Sequence, residues 1–192
     1  MRLLVTLAML MTISNVHATD EPSVPLFPRI SVETTQGSFV LELDGSRSPI
    51  TVMNFVRYVN DGQYNGTIFH RVIPGFMAQA GGYVADYGEK EVRPPIPNES
   101  GNGLKNERGT IAMARMGKPH TATSQFFINL TDNAALDPSP RRWGYTVFGL
   151  VVEGMDVVDL IAKIPTGSGG PFPTDVPQST VLIKSMKLIE DP

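Results

Sequence analysis

The chain has 192 residues, 16 Lys and Arg against 19 Asp and Glu for a formal charge of −3, and no cysteine. That length suits one globular domain with a real core, standing without disulfides. The basic residues are scattered, the densest cluster being Arg141-Arg142, which excludes the electrostatic footprint of a nucleic-acid binder; with no Cys, no H-E-x-x-H, and only His70 and His120 beyond the leader, no metal site is expected.

Arg2 precedes an apolar run over residues 3–13, and Val16-His17-Ala18 follows it, which predicts a secretory signal peptide over residues 1–18 and a mature chain from Thr19. A buried N-terminal helix is the alternative. The run is too short to span a bilayer, and no cysteine follows it to carry a lipid, so no membrane anchor is expected. The expected location is a bacterial periplasm or the cell exterior. Residues 19–28, rich in Pro, are read as an extended leader.

Residues 30–34 and 39–43 alternate around Gln36-Gly37 and predict a β-hairpin. Ser48 as N-cap and Pro49 at the first helical position open a helix that ends at Asp61-Gly62. Its apolar stripe of Ile50, Met53, Phe55, Val56 and Val59 has core-packing spacing.

Residues 68–73 read as a strand in which one side chain is out of character. Alternation puts Phe69, Arg71 and Ile73 on one face and Ile68, His70 and Val72 on the other. Pro74-Gly75 turns the chain, and Met77 and Gln79 share a face when the strand resumes. Arg71 keeps its charge near neutral pH, so neighbours such as Phe69, Ile73, Phe76 and Met77 demand acceptors for its five donors, yet the run contains no acid. A structurally paired arginine is one reading; a cation held for a ligand is the other. His70 reads as a structural hydrogen-bonding group.

Residues 83–107 lose periodicity and fill with Gly, Pro, Asn and charge, as a long surface loop does, whether functional or padding. Strand character returns at 109–114 and at 124–130, with a turn region at 117–123 between them. In the second strand Phe126, Ile128 and Leu130 read as core, opposite Gln125, Phe127 and Asn129. A phenylalanine between two polar neighbours has the pattern of a half-exposed aromatic in a binding surface. A strand at 145–151, a helix at 155–164 after Gly154 and a closing strand at 180–190 complete the chain. The Gly- and Pro-dense residues 165–178 read as a loop within one domain, because the last strand has nowhere else to pair. Many strands, two helices and no βαβ alternation predict a mainly β domain over residues 29–192.

The run Phe69-His70-Arg71-Val72-Ile73-Pro74-Gly75-Phe76-Met77-Ala78-Gln79-Ala80-Gly81-Gly82 resembles the signature segment of the cyclophilins, the prolyl cis/trans isomerases. The likeness runs from about residue 30 to 190, through Gly109-Thr110-Ile111-Ala112-Met113-Ala114, Ser124-Gln125-Phe126-Phe127-Ile128-Asn129 and Val147-Phe148-Gly149, and is strongest to bacterial periplasmic members. The resemblance implies a closed eight-stranded antiparallel barrel capped by two α-helices, with the site on its outer surface. It implies Arg71 as the catalytic residue, and Phe76, Met77, Gln79, Ala114, Gln125, Phe127, Leu136 and Tyr145 as the substrate-binding ones. The implied partners are proline-containing peptides and unfolded protein clients, with no cofactor and a monomeric chain.

Two departures stand out. Ala135 occupies the place of a tryptophan in cyclosporin-sensitive members, and Tyr145 that of a histidine, which implies weak cyclosporin binding while Tyr145 keeps a donor at the pocket edge. Trp143, nearby, is read as a packing residue. Rotation about an amide needs no nucleophile, base or metal, because its barrier is partial double-bond character. An isomerase assisting the folding of exported proteins is the first expectation; a proline-peptide binding module or chaperone is the second, and Arg71 with Gln79 favours the enzyme.

Overall fold

The computed structural model describes residues 25–189. The expected signal peptide, the first part of the leader and Glu190 lie outside the described residues. In chain order the described residues form β1 (Arg29–Thr34), β2 (Gly37–Leu43), α1 (Pro49–Asn60), β3 (Thr67–Ile73), β4 (Met77–Val84), β5 (Thr110–Met113) and β6 (Phe126–Asn129). A 3-10 turn at Ala134–Leu136 follows, then β7 (Val147–Glu153), α2 (Met155–Ala162), β8 (Thr166–Gly169), β9 (Phe172–Pro177) and β10 (Ile183–Ile189).

Eight strands make one antiparallel sheet in the order β10-β1-β2-β7-β5-β6-β4-β3. The sheet rolls up until its ends meet at one bridge, Ile68 to Leu182, with Phe69 N–H donating to the Val181 carbonyl (3.0 Å) and Gly66 N–H to that of Ile183 (2.9 Å). Full closure is therefore an overstatement, since the ends touch at a point rather than along a ladder. Alternate strand residues such as Ile30, Val32, Phe39, Leu41, Phe126 and Ile128 fill the interior, joined by Val52, Phe55, Val56 and Val59 of α1 and Val158 and Ile161 of α2. A smaller cluster of Met77, Ala112, Phe127 and Val147 is separate from it, with Ile73, Phe76, Ala114, Leu136 and Tyr145 packed against it.

Several expectations are corrected. In α1 the buried face runs through Thr51, Val52, Phe55, Val56, Tyr58 and Val59, whereas Ile50 and Met53 are each 44% exposed. Ser48 holds the N-cap position, but its hydroxyl donates to the Val147 carbonyl (2.9 Å); the Glu99 carboxylate instead accepts from the N–H groups of Ile50 (3.2 Å) and Thr51 (2.8 Å). An acid at a helix N-terminus satisfies orphan donors and interacts favourably with the positive end of the helix dipole, so this part of the long loop is structural.

In β3 the register shifts between Phe69 and Arg71. The extra residue breaks the alternation, so Phe69 and Val72 both enter the core while Arg71 and Ile73 do not. Residues 165–178 are not a loop. They hold the β8–β9 hairpin, a second two-stranded sheet whose Phe172 ring lies 5.6 Å from that of His70.

His70 makes the expected structural hydrogen bond, with the Ile68 backbone, and is also an aromatic packing partner: its ring packs in a cluster with Tyr83 and Phe172, and its Nδ1 is buried without a partner among the described residues. Burial pushes its pKa down to about 4, against the raising effect of a hydrogen bond with the Ile68 backbone and aided by the Arg71 charge.

Candidate active site

Register brings the site together. Arg71 of β3 pairs with Gln79 of β4, Gln79 pairs with Phe127 of β6, and Phe127 pairs with Ala112 of β5. One row of cross-strand neighbours thus carries a cation, an amide and an aromatic ring across the wall. Above it is a cavity of about 150 Å³.

The cavity is lined by Arg71 and Gln79, by Phe76 and Met77 from the β3–β4 connection, by Ala114 at the end of β5, and by Phe127, Leu136 and Tyr145. Gln125 is held one step behind the lining, its Oε1 accepting from Gln79 Nε2 at 2.8 Å. Phe127 is only 4% exposed rather than half-exposed, because the Tyr145 ring packs edge-on against it with centroids 5.7 Å apart.

A chain of buried asparagines fixes the far wall. Asn133 Nδ2 donates to the Phe76 carbonyl (2.8 Å) and to Asn129 Oδ1 (2.8 Å), and Asn129 Nδ2 donates to Asn106 Oδ1 (3.2 Å). The Asn133 carbonyl accepts from Leu136 N–H (2.8 Å), and the Leu136 carbonyl from Tyr145 N–H (2.9 Å). Phe76, Leu136 and Tyr145 are therefore placed through their backbones, and their apolar side chains are free to shape the cavity.

Arg71 has its acid after all. Asp175 Oδ2 of β9 lies 3.5 Å from Arg71 Nε, at a backbone φ of 68°. The terminal nitrogens of Arg71 make no hydrogen bond among the described residues, so a molecule in the cavity meets uncommitted donors.

Two lining or supporting residues escaped the sequence reading. Arg115 lines the cavity with its guanidinium 4.6 Å from the Tyr145 ring centroid. Its place directly after Ala114 was the available signal. Asp175 left no local signal beyond the general demand of Arg71 for an acceptor. Trp143 is 48% exposed and packs edge-on against His120 (5.0 Å), outside the cavity.

The family model for cyclophilin type peptidyl-prolyl cis-trans isomerase/CLD matches residues 29–188. The chain belongs to the cyclophilin family. This cyclophilin is 52% identical over 161 residues to peptidyl-prolyl cis-trans isomerase A of Dickeya dadantii, covering 84% of each chain. It is 48% identical over 164 residues to peptidyl-prolyl cis-trans isomerase B of Escherichia coli, covering 84% of this chain and 99% of that one. A crystal structure of a cyclophilin type isomerase from Cryptosporidium parvum matches at a TM-score of 0.71 and 28% identity, covering 86% of this chain and 99% of that one. A second structure of that protein, in the presence of the dipeptide Ala-Pro, matches at a TM-score of 0.69 and 26% identity over 85% and 99%. The chain is a peptidyl-prolyl cis/trans isomerase.

Proposed function

We propose that this cyclophilin assists the folding of exported proteins in a bacterial periplasm, with Arg71 as the catalytic group and the cavity beside it as the proline site. The observation that carries this reading is the Arg71–Gln79–Phe127 row, in which uncommitted guanidinium donors stand beside a small cavity that apolar and polar side chains line together. At about 150 Å³ it suits a proline ring, being smaller than the ~300–1,000 Å³ of pockets for drug-sized ligands. The Ala-Pro dipeptide used with the Cryptosporidium parvum protein supports a proline-containing peptide as the occupant. The signal-like N-terminus supports export.

As the amide twists, the prolyl nitrogen pyramidalises and its lone pair becomes a better acceptor. A donor from Arg71 then gains strength in the transition state alone, which is what lowers a barrier. Taking isomerisation from tens of seconds to about a millisecond requires roughly 5.5 kcal/mol. One charge-assisted hydrogen bond contributes only about 1.5–3 kcal/mol. The rest falls to Phe76, Met77, Phe127 and Leu136, which hold the ring and exclude water, to the edge residues Ala114 and Tyr145, and to Gln79, which grips the preceding residue while Gln125 steadies it.

A prolyl-isomerisation assay on a short Ala-Pro peptide tests the assignment. The native chain accelerates the reaction, and Arg71→Ala lowers kcat/KM by about 10- to 100-fold. Equal acceleration by the two would remove Arg71 from its role. Fractionation of bacterial cells tests the location, the expected product being a periplasmic chain beginning at Thr19.

A further inference from the structure

Two cations line the cavity, and among the described residues only one of them is paired with an acid. Arg71 is paired with Asp175. Arg115 is held by carbonyl oxygens instead: Nε donates to Gly144 (3.2 Å), Nη1 to Met116 (3.0 Å) and Gly117 (3.4 Å), and Nη2 to Trp143 (2.9 Å), while the guanidinium lies over the Tyr145 face. Carbonyl dipoles and a ring quadrupole fix a guanidinium without cancelling its unit charge. Among the described residues no Asp or Glu lines the cavity, although the chain as a whole carries −3. The positive lining is thus a local arrangement that runs against the net charge of the molecule.

We propose that Arg115 is a specificity determinant, making this site prefer Xaa-Pro segments with Asp or Glu beside the proline over those with Lys or Arg there. The inference rests on the isomerase reading above and names the substrate class of that same site. Apolar walls such as Phe127, Leu136 and Tyr145 carry the field of a fixed charge further than open water does. Exchanging Glu for Lys on the peptide then changes kcat/KM by about three- to tenfold at low salt.

The experiment compares six short peptides, with Glu, Gln or Lys either immediately before or immediately after the proline, assayed with the full chain at low and high salt. The expected result is a Glu-to-Lys ratio of kcat/KM of at least about threefold at one or both positions, with Gln between, shrinking as salt rises. Arg115→Gln brings the ratio close to one, and Arg115→Lys, which keeps the charge, retains it. A ratio near one at both positions in the native chain, a ratio insensitive to salt, or a ratio that survives in Arg115→Gln overturns the proposal. The native-chain ratio and its salt dependence need no variant, so they can overturn the proposal even where Arg115→Gln fails to fold, and Arg115→Lys then ties the preference to the charge at this position. Equal acceleration of all six peptides counts against this inference alone, whereas no acceleration of any counts against the isomerase reading.

Discussion

The carboxylate of Asp175 lies 3.5 Å from Nε of Arg71, although one residue sits on the rolled sheet and the other on a separate hairpin. Pairing through Nε orients the guanidinium and leaves its terminal nitrogens uncommitted. Asp175→Asn keeps a residue type that tolerates the left-handed backbone observed there (φ 68°) while removing the charge. A half-exposed ion pair is worth about 0.2–1 kcal/mol, so kcat/KM on an Ala-Pro peptide falls by up to about fivefold with little change in Tm. Unchanged kinetics would leave Asp175 a surface acid with no part in positioning Arg71.

Gly82 acts on the same row from behind. A Cβ built on it would come within 2.5 Å of the Gln125 side chain, whose Oε1 accepts from Gln79. Gly82→Ala therefore swings Gln125 away and releases Gln79, lowering kcat/KM by about two- to tenfold although Gly82 does not line the cavity. The double variant Gly82→Ala with Gln125→Ala discriminates: if the effect runs through Gln125, adding Gly82→Ala to Gln125→Ala costs nothing further.

What sequence reading captured and missed divides along physical lines. The core positions Phe126, Ile128 and Leu130 follow from a two-residue period, and the structure buries all three in the main core. Arg71 stands out in the sequence as a cation among apolar residues and Phe127 as an aromatic between polar ones, and the family likeness adds Gln79 and the roles of all three; only strand register shows that they form one row. The β8–β9 hairpin was missed because Gly and Pro density is the same in a tight hairpin as in an irregular loop. The bulge at Phe69–Arg71 was missed because one inserted residue leaves no mark on composition, yet it decides which side Arg71 faces. Asp175 was invisible for a different reason: an ion pair between distant segments is fixed only once the hairpin docks beside β3.

Ala135 lies exposed in the middle of the 3-10 turn that carries Leu136 into the cavity wall. A larger side chain there projects into solvent rather than into the core, so Ala135→Trp folds with little change in Tm. The family likeness predicts weak cyclosporin binding by the native chain and binding at least about tenfold tighter, roughly 1.4 kcal/mol, by Ala135→Trp, as calorimetric titration would measure. If affinity is unchanged, the weak binding traces to Tyr145 and its Arg115 stack instead.

His70 gives the fold a pH dependence whose sign follows from its buried, neutral ring. Its folded pKa of about 4 lies below the unfolded value of 6.5, so between these pH values the unfolded chain binds the extra proton. The contribution of the neutral ring to stability is complete above about pH 6.5 and is lost as pH falls toward 4. By pH 4.5 the loss reaches about 2–3 kcal/mol. His70→Phe keeps an aromatic ring against Tyr83 and Phe172 and removes the titration together with the unpartnered Nδ1. Urea unfolding at pH 7 and pH 4.5 should therefore show the native chain losing about 2–3 kcal/mol more than His70→Phe between the two conditions. Equal losses in both proteins would mean that acid sensitivity resides in other groups and that His70 protonates without disturbing the hairpin packed against it.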